Sequence, residues 1–550
     1  MSQLNPMFRS EWGESIFRQK YPLFERWEDL ARQLAQEVCE GFLPQSQIDF
    51  IFESIRDMKF IPGGRYLYYA GRKAKFYNNC FLLRAEEDSR QDWANLSWKA
   101  ESCLMTGGGI GADYSVYRPK GSILGRTGGE ASGPLPKMQM INEIGRNVMQ
   151  GGSRRSAIYA SLNWQHGDVW SFLRAKNWHD MKVPGTDKTV WDIRQADFNF
   201  PAPLDMTNIS PNYDDAWLDM FRATGDVGAL FYANVEQACM TGEPGFSFNF
   251  GEQENETLRN ACTEVTSADD SDCCNLGSLN FSRIESPEEL RQITRAATLF
   301  LLCGSHRSDV PYEKVERVRE KNRRLGLGIM GIHEWLMSRG YSYGMNPEFE
   351  RWLCVYKVES DAAAAVGAHS LSCARPKGVR AIAPTGTIGI LAGTTTGIEP
   401  LYAVAYKRRV LTRGTEWVEK YVIDDAADVL IHKHSVDPDK IETSIDLAKD
   451  PERRIKFQYE VQKYVDHAIS STINLPEWGS ESNNPDTVRQ MASILAKYAH
   501  GLRGFTAYPD AARGGQPLTA ISYQDAIEHN ASVQTHDICS ITSKGGVCGA

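Results

Sequence analysis

The sequence has no long apolar run, no basic cluster and no leader-like N-terminus. Its longest apolar stretches, such as residues 296–304, are too short to span a bilayer. The opening residues MSQLNPMFRSEWGESIF lack the basic region and apolar run of a signal peptide. We therefore expect a cytoplasmic protein with no membrane partner. The net charge of −9, which no Lys/Arg cluster offsets, argues against a nucleic-acid binder.

Two common ligand-binding patterns are also missing. The Gly-Lys-Ser/Thr of a P-loop is absent, which disfavours a nucleoside triphosphatase. Cys539 and Cys548, near the end of the sequence, are too sparse for a zinc site, which needs four Cys or His ligands. We predict no metal site. In a reducing compartment the 12 cysteines are not expected to form structural disulfides.

The hydrophobic content of 42% and charged content of 24% are those of an ordinary globular protein. Residues 1–75 are predicted to form a helical N-terminal segment. Between residues 76 and 525, helical and strand patterns alternate without a boundary, which favours one large barrel-like α/β catalytic body. Residues 526–550 are polar and Gly-rich, so they are predicted to be a flexible tail.

Asn260, Cys262 and Glu264 stand at alternate positions in one short stretch. In an extended segment or taut loop, alternation would put all three side chains on one face. A thiol between an amide and a carboxylate can act as a nucleophile, a redox centre or a radical carrier. A nucleophile, as in a cysteine acyl-transfer enzyme, needs a nearby histidine base, and only His306 lies near in sequence. A thiol-binding protein without radical chemistry also stays open.

Further thiols and one turn complete the chemical pattern. Cys80 begins a short apolar strand candidate, and Cys273 and Cys274 follow the central stretch. The two tail cysteines suit dithiol exchange with a partner disulfide. The residues therefore indicate an inner thiol site and a dithiol relay. Residues 380–401 are rich in Gly and Thr, and a Thr-Gly-Thr turn at 385–387 can hold phosphate without a cation.

The ordered set of motifs resembles the catalytic subunit of the ribonucleotide reductases. Asn-x-Cys-x-Glu at 260–264, followed by Cys-Asn-Leu-Gly at 274–277, looks like the finger loop of that family. The other matching motifs are Asn-Cys-Phe, GGGIGADYSVYRPKG, TGGEASGP, QGGSRRSA, RRLGLGIMG and PTGTIGILAGTTTGIEPL. All follow the family's order over roughly residues 60–510. The resemblance implies a ten-stranded α/β barrel with a central finger loop.

The resemblance also implies an oxidoreductase activity and roles for individual residues. Ribonucleotides would be converted to 2′-deoxyribonucleotides. Cys262 would be the transient thiyl radical that takes the ribose 3′-hydrogen. Glu264 would take the 3′-hydroxyl proton as a general base, and Asn260 would bind the sugar hydroxyls. Cys80 and Cys274 would reduce the 2′ position and end as a disulfide. Cys273 is a competitor for that role, although Cys274 directly precedes Asn-Leu-Gly as in the family.

Other residues would bind substrate, reductant and effector. The substrate would contact Asn79, Gly109, Pro384, Thr385, Gly386, Thr387 and Ile388. Cys539 and Cys548 would re-reduce the inner disulfide, with thioredoxin or glutaredoxin as partner. A specificity site for a deoxynucleotide or ATP effector matches Asp88, Ser89, Arg118 and Arg126. Because no ATP-cone-like segment is visible, on/off control by dATP is not expected.

The predictions for the radical source and the oligomeric state rest on a comparison of this sequence with the different classes of the family. Class I catalytic subunits carry a tyrosine pair where this sequence has only Tyr508. We therefore favour class II, whose cofactor is adenosylcobalamin, over a class I chain that needs a separate metal-containing radical subunit. The interval from Cys80 to Cys262 is too compact for the insertion of monomeric class II enzymes, so a homodimer or an unregulated monomer is predicted, and the homodimer is favoured. Diphosphate and triphosphate substrates both stay open.

Overall fold

The computed structural model describes residues 7–148, 156–197, 200–412, 416–510, 512, 518–529 and 533–537. Its helices are α1 (Glu11–Lys20), α2 (Trp27–Cys39), α3 (Gln45–Arg56), α4 (Gly64–Tyr69), α5 (Arg90–Met105), α6 (Leu135–Asn147), α7 (Val169–Leu173), α8 (Val190–Ala196), α9 (Asp215–Thr224), α10 (Ala229–Thr241), α11 (Pro287–Arg307), α12 (Glu313–Asn322), α13 (Ile332–Ser338), α14 (Pro347–Ser370), α15 (Gly386–Ala392), α16 (Asp425–His432), α17 (Ser444–Leu447), α18 (Pro451–Gln462), α19 (Val488–Ala499) and α20 (Tyr523–His529). Within the described ranges, no helix has both the length and the apolar character needed to cross a bilayer.

The strands form a large sheet, a smaller antiparallel sheet and a short hairpin. They are β1 (Phe60–Pro62), β2 (Cys80–Arg84), β3 (Gly109–Asp113), β4 (Ile158–Asn163), β5 (Thr207–Tyr213), β6 (Phe246–Phe248), β7 (Leu258–Arg259), β8 (Thr266–Ser267), β9 (Asp272–Asn280), β10 (Leu325–Met330), β11 (Ala405–Thr412), β12 (Glu416–Ile423), β13 (Thr472–Leu475), β14 (Gly504–Pro509), β15 (Leu518–Ile521) and β16 (Val533–Asp537).

The large sheet closes into a barrel of two parallel halves. In the first half, β2 to β6 pair side by side in chain order. In the second half, β9 pairs with β10 and β13 pairs with β14, also in parallel. Residues 380–382 fill the place between these pairs, because Arg380 bridges Leu327 of β10 and Ile382 bridges Ile469 ahead of β13.

The two halves meet along two antiparallel seams, β2 with β9 and β6 with β14. Each half contributes five strands when residues 380–382 are counted with the second half, so the ring has ten strands. The predicted ten-stranded α/β barrel is therefore confirmed. β1 lies outside this ring as an added strand on β9.

Some strands of the barrel are buried along their whole length. All six residues of β10 and all nine of β9 are buried. Parallel strands covered by helices are buried on both faces. The long helices α11 and α14 supply part of this cover. Each begins with a side-chain cap followed by proline, Ser286–Pro287 and Asn346–Pro347, a combination favoured at helix N-termini.

The N-terminal segment shares its core with the barrel. Helices α1 to α4 occupy much of the predicted helical segment, and β1 within it pairs with β9. Trp27, Leu30 and Leu34 are fully buried in the same apolar cluster as Leu327 of β10. The predicted boundary at residue 75 therefore does not separate an independent folding unit.

The C-terminal boundaries differ from the prediction. The last barrel strand, β14, ends at Pro509 rather than near residue 525. β15, β11, β12 and β16 form a separate four-stranded antiparallel sheet. The predicted tail from residue 526 contains the end of α20 and all of β16. The physical reason is the free edge of β12, which β16 covers through a regular antiparallel ladder.

Candidate active site

A hairpin inside the barrel carries the central Asn-x-Cys-x-Glu stretch. β7 and β8 pair in antiparallel fashion on either side of its tip. At the tip, the Val265 N–H donates to Asn260 Oδ1 at 2.9 Å, and the Thr263 N–H donates to the Asn260 carbonyl at 3.0 Å. Thr263 has a φ of 69°, so the stretch is a tight turn rather than an extended segment.

The hairpin contacts both halves of the barrel. On one side, a Cβ at Gly111 of β3 would lie 1.8 Å from the Arg259 carbonyl oxygen, so only glycine allows this approach. Nearby, Asn208 Nδ2 of β5 donates to the Ala261 carbonyl at 3.3 Å. On the other side, the Ala468 N–H donates to the Glu264 carbonyl at 2.8 Å. The hairpin therefore spans the barrel interior, as expected for a finger loop.

Buried charges hold the base of the hairpin. The Arg259 side chain donates to Asn249 Oδ1 at 2.7 Å and to the Arg503 carbonyl at 3.2 Å. Burial lowers the pKa of Arg259 to about 9. Glu256 pairs with Arg324 at 3.0 Å and with Arg503 at 3.1 Å. Burial opposes ionisation of Glu256, but Arg324 and Arg503 outweigh it and lower its pKa to about 2.

Three of the predicted catalytic side chains meet at Cys80. Asn260 Nδ2 donates to Cys80 Sγ at 3.0 Å, and the Cys80 thiol points to Glu264 Oε1 at 3.9 Å. Cys274 lies directly opposite Cys80 in the antiparallel pair of β2 and β9. The turn at Thr263 therefore brings the amide and the carboxylate of the finger loop to one thiol, with a second thiol beside it.

The protonation states fit a reducing site rather than a nucleophilic one. Burial, and then the charge of Glu264, raise the pKa of the Cys80 thiol. Burial also raises the pKa of Cys274, so both groups are neutral thiols. Burial raises the pKa of Glu264 to about 7. Its Oε2 has no hydrogen-bond partner among the described residues, so this carboxyl can exchange a proton with a bound ligand near neutral pH.

Strand alternation separates the two adjacent cysteines. Cys274 packs with Cys80 and Leu276 in the cluster at the site. Cys273 points to the other face of β9, where it packs in the apolar core with Cys103. The structure therefore places Cys274, and not Cys273, beside Cys80.

A cavity of about 320 Å³ lies over the finger tip. It is lined by the predicted residues Asn79, Cys80, Gly109, Asn260, Cys262 and Glu264. It is also lined by the five consecutive residues Pro384 to Ile388. Thus the thiols and carboxyl face the same space as the Thr-Gly-Thr turn. The volume suits a small polar ligand held at both ends.

The Thr-Gly-Thr turn joins residues 380–382 of the barrel to α15. Thr385 has a φ of 50° and precedes the first helical residue, Gly386. Its hydroxyl accepts a hydrogen bond from the Gly397 N–H at 2.9 Å, which fixes the turn. A Cβ at Gly386 would meet no heavy atom within 4 Å, so the turn faces open space.

Several lining residues were not predicted. They are Gly63, Gly64, Arg65, Gly107, Ala157, Ala261, Leu276, Gly277, Ser278 and Ala383. Gly107 lies in the GGGIGADYSVYRPKG motif, Ala157 in QGGSRRSA, and Leu276 and Gly277 in Cys-Asn-Leu-Gly, so these motifs marked positions to which no role was assigned. Ser278 follows from alternation, since it lies on the same face of β9 as Cys274 and Leu276. Lys20, whose Nζ donates to Thr387 Oγ1 at 3.2 Å, had no sequence signal at all.

The other predicted site residues lie away from the cavity. Asp88 and Arg118 form an ion pair, and Ser89 caps α5 by accepting a hydrogen bond from the Asp92 N–H at 3.2 Å. Arg126 is exposed in the Gly-rich loop. Cys539 and Cys548 lie outside the described residues.

Among the described residues that line the cavity, none is a histidine. His306 instead packs against Phe42, with ring centroids 5.4 Å apart. The acyl-transfer hypothesis required a histidine base beside Cys262, so this arrangement does not support it.

The fold is that of an α/β barrel with thiols grouped around a buried carboxyl group at its centre. The family model for the ribonucleotide reductase barrel domain matches residues 78–198, 212–352 and 373–508. The chain therefore belongs to the ribonucleotide reductase family. The matched residues begin just before β2 and end within β14, which are the first and last strands of the barrel.

Named relatives agree with this assignment. A vitamin B12-dependent ribonucleoside-diphosphate reductase of Mycobacterium tuberculosis is 27% identical over 85% of this chain and 72% of its own length. The protein of the same name from Thermoplasma acidophilum is 27% identical over 85% of this chain and 66% of its own length. A ribonucleoside-diphosphate reductase large subunit of Danio rerio is 25% identical, over 48% of this chain and 38% of its own length.

Proposed function

We propose that this chain is an adenosylcobalamin-dependent ribonucleotide reductase that makes 2′-deoxyribonucleotides by thiyl-radical chemistry. One observation carries the proposal: Cys80 lies between Asn260 and Glu264, opposite Cys274, in the cavity that Cys262 lines. The B12-dependent names of the two relatives that match most of the chain support the choice of cofactor.

The residues of the chain account for the stoichiometry of the reduction. The Cys262 radical takes the 3′-hydrogen of the ribose, and Glu264 takes the 3′-hydroxyl proton and gives it back when the 3′-hydroxyl is restored. The 2′-hydroxyl leaves as water with a proton from one of the two thiols of Cys80 and Cys274, and C2′ receives hydrogen from the other. Cys80 and Cys274 together thus give two electrons and two protons and become a disulfide. Cys262 then returns hydrogen to C3′, so one ribonucleotide and two thiols yield one deoxyribonucleotide, one disulfide and one water.

The exposure of the thiols fits a large external radical source. Cys80 and Cys274 are buried, whereas Cys262 is partly exposed. Adenosylcobalamin, when bound, supplies a carbon radical that removes the hydrogen atom from a thiol. Among the described residues, Cys262 would be the thiol that such a group acts on, because it lines the cavity and is partly exposed.

The test is an anaerobic assay of the purified chain with CDP, adenosylcobalamin and dithiothreitol. We expect dCDP to form with this chain as the only protein, and to be absent when adenosylcobalamin is omitted. No product until a second, metal-containing protein is added would overturn the cofactor assignment and favour the class I hypothesis. Repeating the assay with CTP decides between a diphosphate and a triphosphate substrate.

We further propose that Cys539 and Cys548 pass reducing equivalents from thioredoxin or glutaredoxin to the inner disulfide. β16 ends at Asp537, two residues before Cys539, and pairs with β12. The two cysteines follow this strand closely in the sequence. A Cys539→Ser variant should fail with thioredoxin and retain activity with dithiothreitol. Equal loss with both reductants would refute the shuttle.

We also propose a homodimer with an effector site at its edge. Trp98 and Met105 of α5 and Met140 of α6 are 54%, 61% and 50% exposed on neighbouring helices, an apolar face that a second copy would cover. The Asp88–Arg118 pair lies just ahead of α5, where a nucleotide effector could bridge the copies. Light scattering with and without ATP or deoxynucleotides tests this. A Met105→Lys variant should stay monomeric, and a wild-type monomer under every condition would refute the proposal.

A further inference from the structure

Lys20 is the last residue of α1, far in sequence from the barrel strands. Its ammonium nevertheless donates a hydrogen bond to Thr387 Oγ1 at 3.2 Å. Thr387 belongs to the turn that lines the cavity. A ligand oxygen bound by the Thr387 hydroxyl would therefore lie within a few ångströms of a positive charge.

The position of α1 is fixed against α15 by close packing and a hydrogen bond, and against α13 by an ion pair. A Cβ at Gly13 would lie 2.9 Å from the Ile390 carbonyl oxygen, so glycine permits the close approach of the two helices. Arg9, just before α1, pairs with Glu334 at 2.8 Å and donates to the Gly393 carbonyl at 2.9 Å. Lys20 is thus carried to the turn by a docked helix and not by a free surface loop.

The cavity itself has little positive charge for an anionic ligand. Its charged lining residues are Arg65 and Glu264. Arg65 donates to the Thr106 carbonyl at 3.5 Å and lies against Gly107. The turn offers hydroxyl and backbone donors only. A nucleoside diphosphate brings several negative charges, and an ammonium group is a compact cation with three donors suited to phosphate oxygens.

We propose that Lys20 binds the terminal phosphate of the ribonucleotide substrate at Thr387. This proposal rests on the proposed function and deepens it, because it assigns a substrate-binding residue outside the barrel. Lys20 would hold the phosphate equally in the substrate complex and in the transition state. Such uniform binding lowers KM without changing kcat.

A Lys20→Gln variant is the test, with CDP as substrate. We expect KM for CDP to rise about tenfold, the size typical for a lost hydrogen bond to a charged group, while kcat stays within about twofold. Lys20→Arg should recover most of the affinity. Arg18→Gln is the matched control, since Arg18 lies on the same helix and pairs at 2.6 Å with Glu14. It should leave KM unchanged.

Equilibrium dialysis without turnover separates this proposal from the proposed function. Wild-type chain should bind CDP more tightly than cytidine, and Lys20→Gln should lose most of that preference while cytidine binding is unchanged. That result would support Lys20 even if no deoxynucleotide formed. An unchanged CDP affinity in Lys20→Gln would overturn the role of Lys20. An equal loss of affinity for CDP and cytidine, together with a lowered melting temperature, would also overturn it. Neither result would change the outcome of the reductase assay on the wild-type chain.

Discussion

Cys80 and Cys274 face each other across the antiparallel seam where the two halves of the barrel meet. Directly opposed residues in such pairs have Cα atoms about 4.5–5.5 Å apart. That separation lies inside the range of about 4.4–6.8 Å that a disulfide requires. The seam therefore places the two cysteines at a separation that a disulfide can span, as the proposed reduction requires.

The first prediction distinguishes the adjacent cysteines. Cys274→Ala should lower turnover at least about a thousandfold, because it removes one of the two reducing thiols. Cys273→Ala is the matched control on the neighbouring position of β9. It should keep near wild-type turnover and lose about 1 kcal/mol of stability from the apolar core. Steady-state assays with dithiothreitol and chemical denaturation measure both. Loss of turnover in the Cys273 variant alone would contradict the assignment.

The second prediction concerns pH. Burial raises the pKa of Glu264 to about 7, so the carboxyl is protonated below that pH and cannot accept a proton. We expect kcat/KM to rise as the pH increases to about 7, and to level off above that pH because Glu264 is then ionised. Glu264→Gln should lower kcat by about 10²- to 10⁴-fold, the usual contribution of a general base. A flat pH profile between about 5 and 8 would count against Glu264 as the base.

The third prediction tests the close approach at the finger loop. In Gly111→Ala the new Cβ would lie 1.8 Å from the Arg259 carbonyl oxygen, so the loop must shift. We expect about 1–3 kcal/mol of destabilisation and a larger loss of turnover, because the loop carries three catalytic side chains. Gly125→Ala, where a Cβ meets nothing within 4 Å, is the control. Melting curves and assays of both variants measure this; wild-type turnover in Gly111→Ala would show that the loop does not lie against β3.

The fourth prediction is acid sensitivity from the base of the hairpin. Arg324 and Arg503 overcome the effect of burial and lower the pKa of Glu256 to about 2. A carboxyl group whose pKa is lower in the folded state than in the unfolded state stabilises the fold at pH values above its unfolded-state pKa. This stabilisation is lost as the pH falls toward 2. The full contribution is about 3 kcal/mol.

Glu256→Gln should therefore flatten the fall of unfolding free energy between about pH 5 and pH 2. Denaturant unfolding at several pH values measures the slope. Glu313→Gln, which removes an exposed pair with Arg317, should leave the slope unchanged. If the unfolding free energy of the Glu256 variant falls with decreasing pH as steeply as that of the wild type, the ion pairs with Arg324 and Arg503 do not persist in solution.

Much of the fold and of the site was predictable because the signals were local. The Asn-x-Cys-x-Glu spacing, Cys80 at the start of a strand and the Thr-Gly-Thr turn are contiguous patterns, and the structure places all of them around one cavity. Choosing Cys274 over Cys273 from sequence needed the family pattern. The structure gives the physical reason, since successive residues of β9 point to opposite faces.

What the sequence did not predict depends on long-range packing. Lys20 and Thr387 are brought together only because α1 docks on α15. β16 becomes a strand because the edge of β12 is available, although its own composition indicated a tail. The sequence left open whether residues 260–264 are extended or a taut loop, and the positive φ of Thr263 makes the stretch a tight turn within the barrel interior.

The proposed function depends on a radical at Cys262 that removes the 3′-hydrogen of the substrate. The most direct measurement compares CDP with 3′-deuterated CDP in the adenosylcobalamin assay, using wild-type chain and Cys262→Ser. We predict a primary isotope effect on kcat/KM for the wild type and no dCDP from the variant, whose folding is checked by its melting temperature. Formation of dCDP by Cys262→Ser would contradict the radical role of Cys262. Equal rates for CDP and 3′-deuterated CDP, together with an active variant, would contradict it as well.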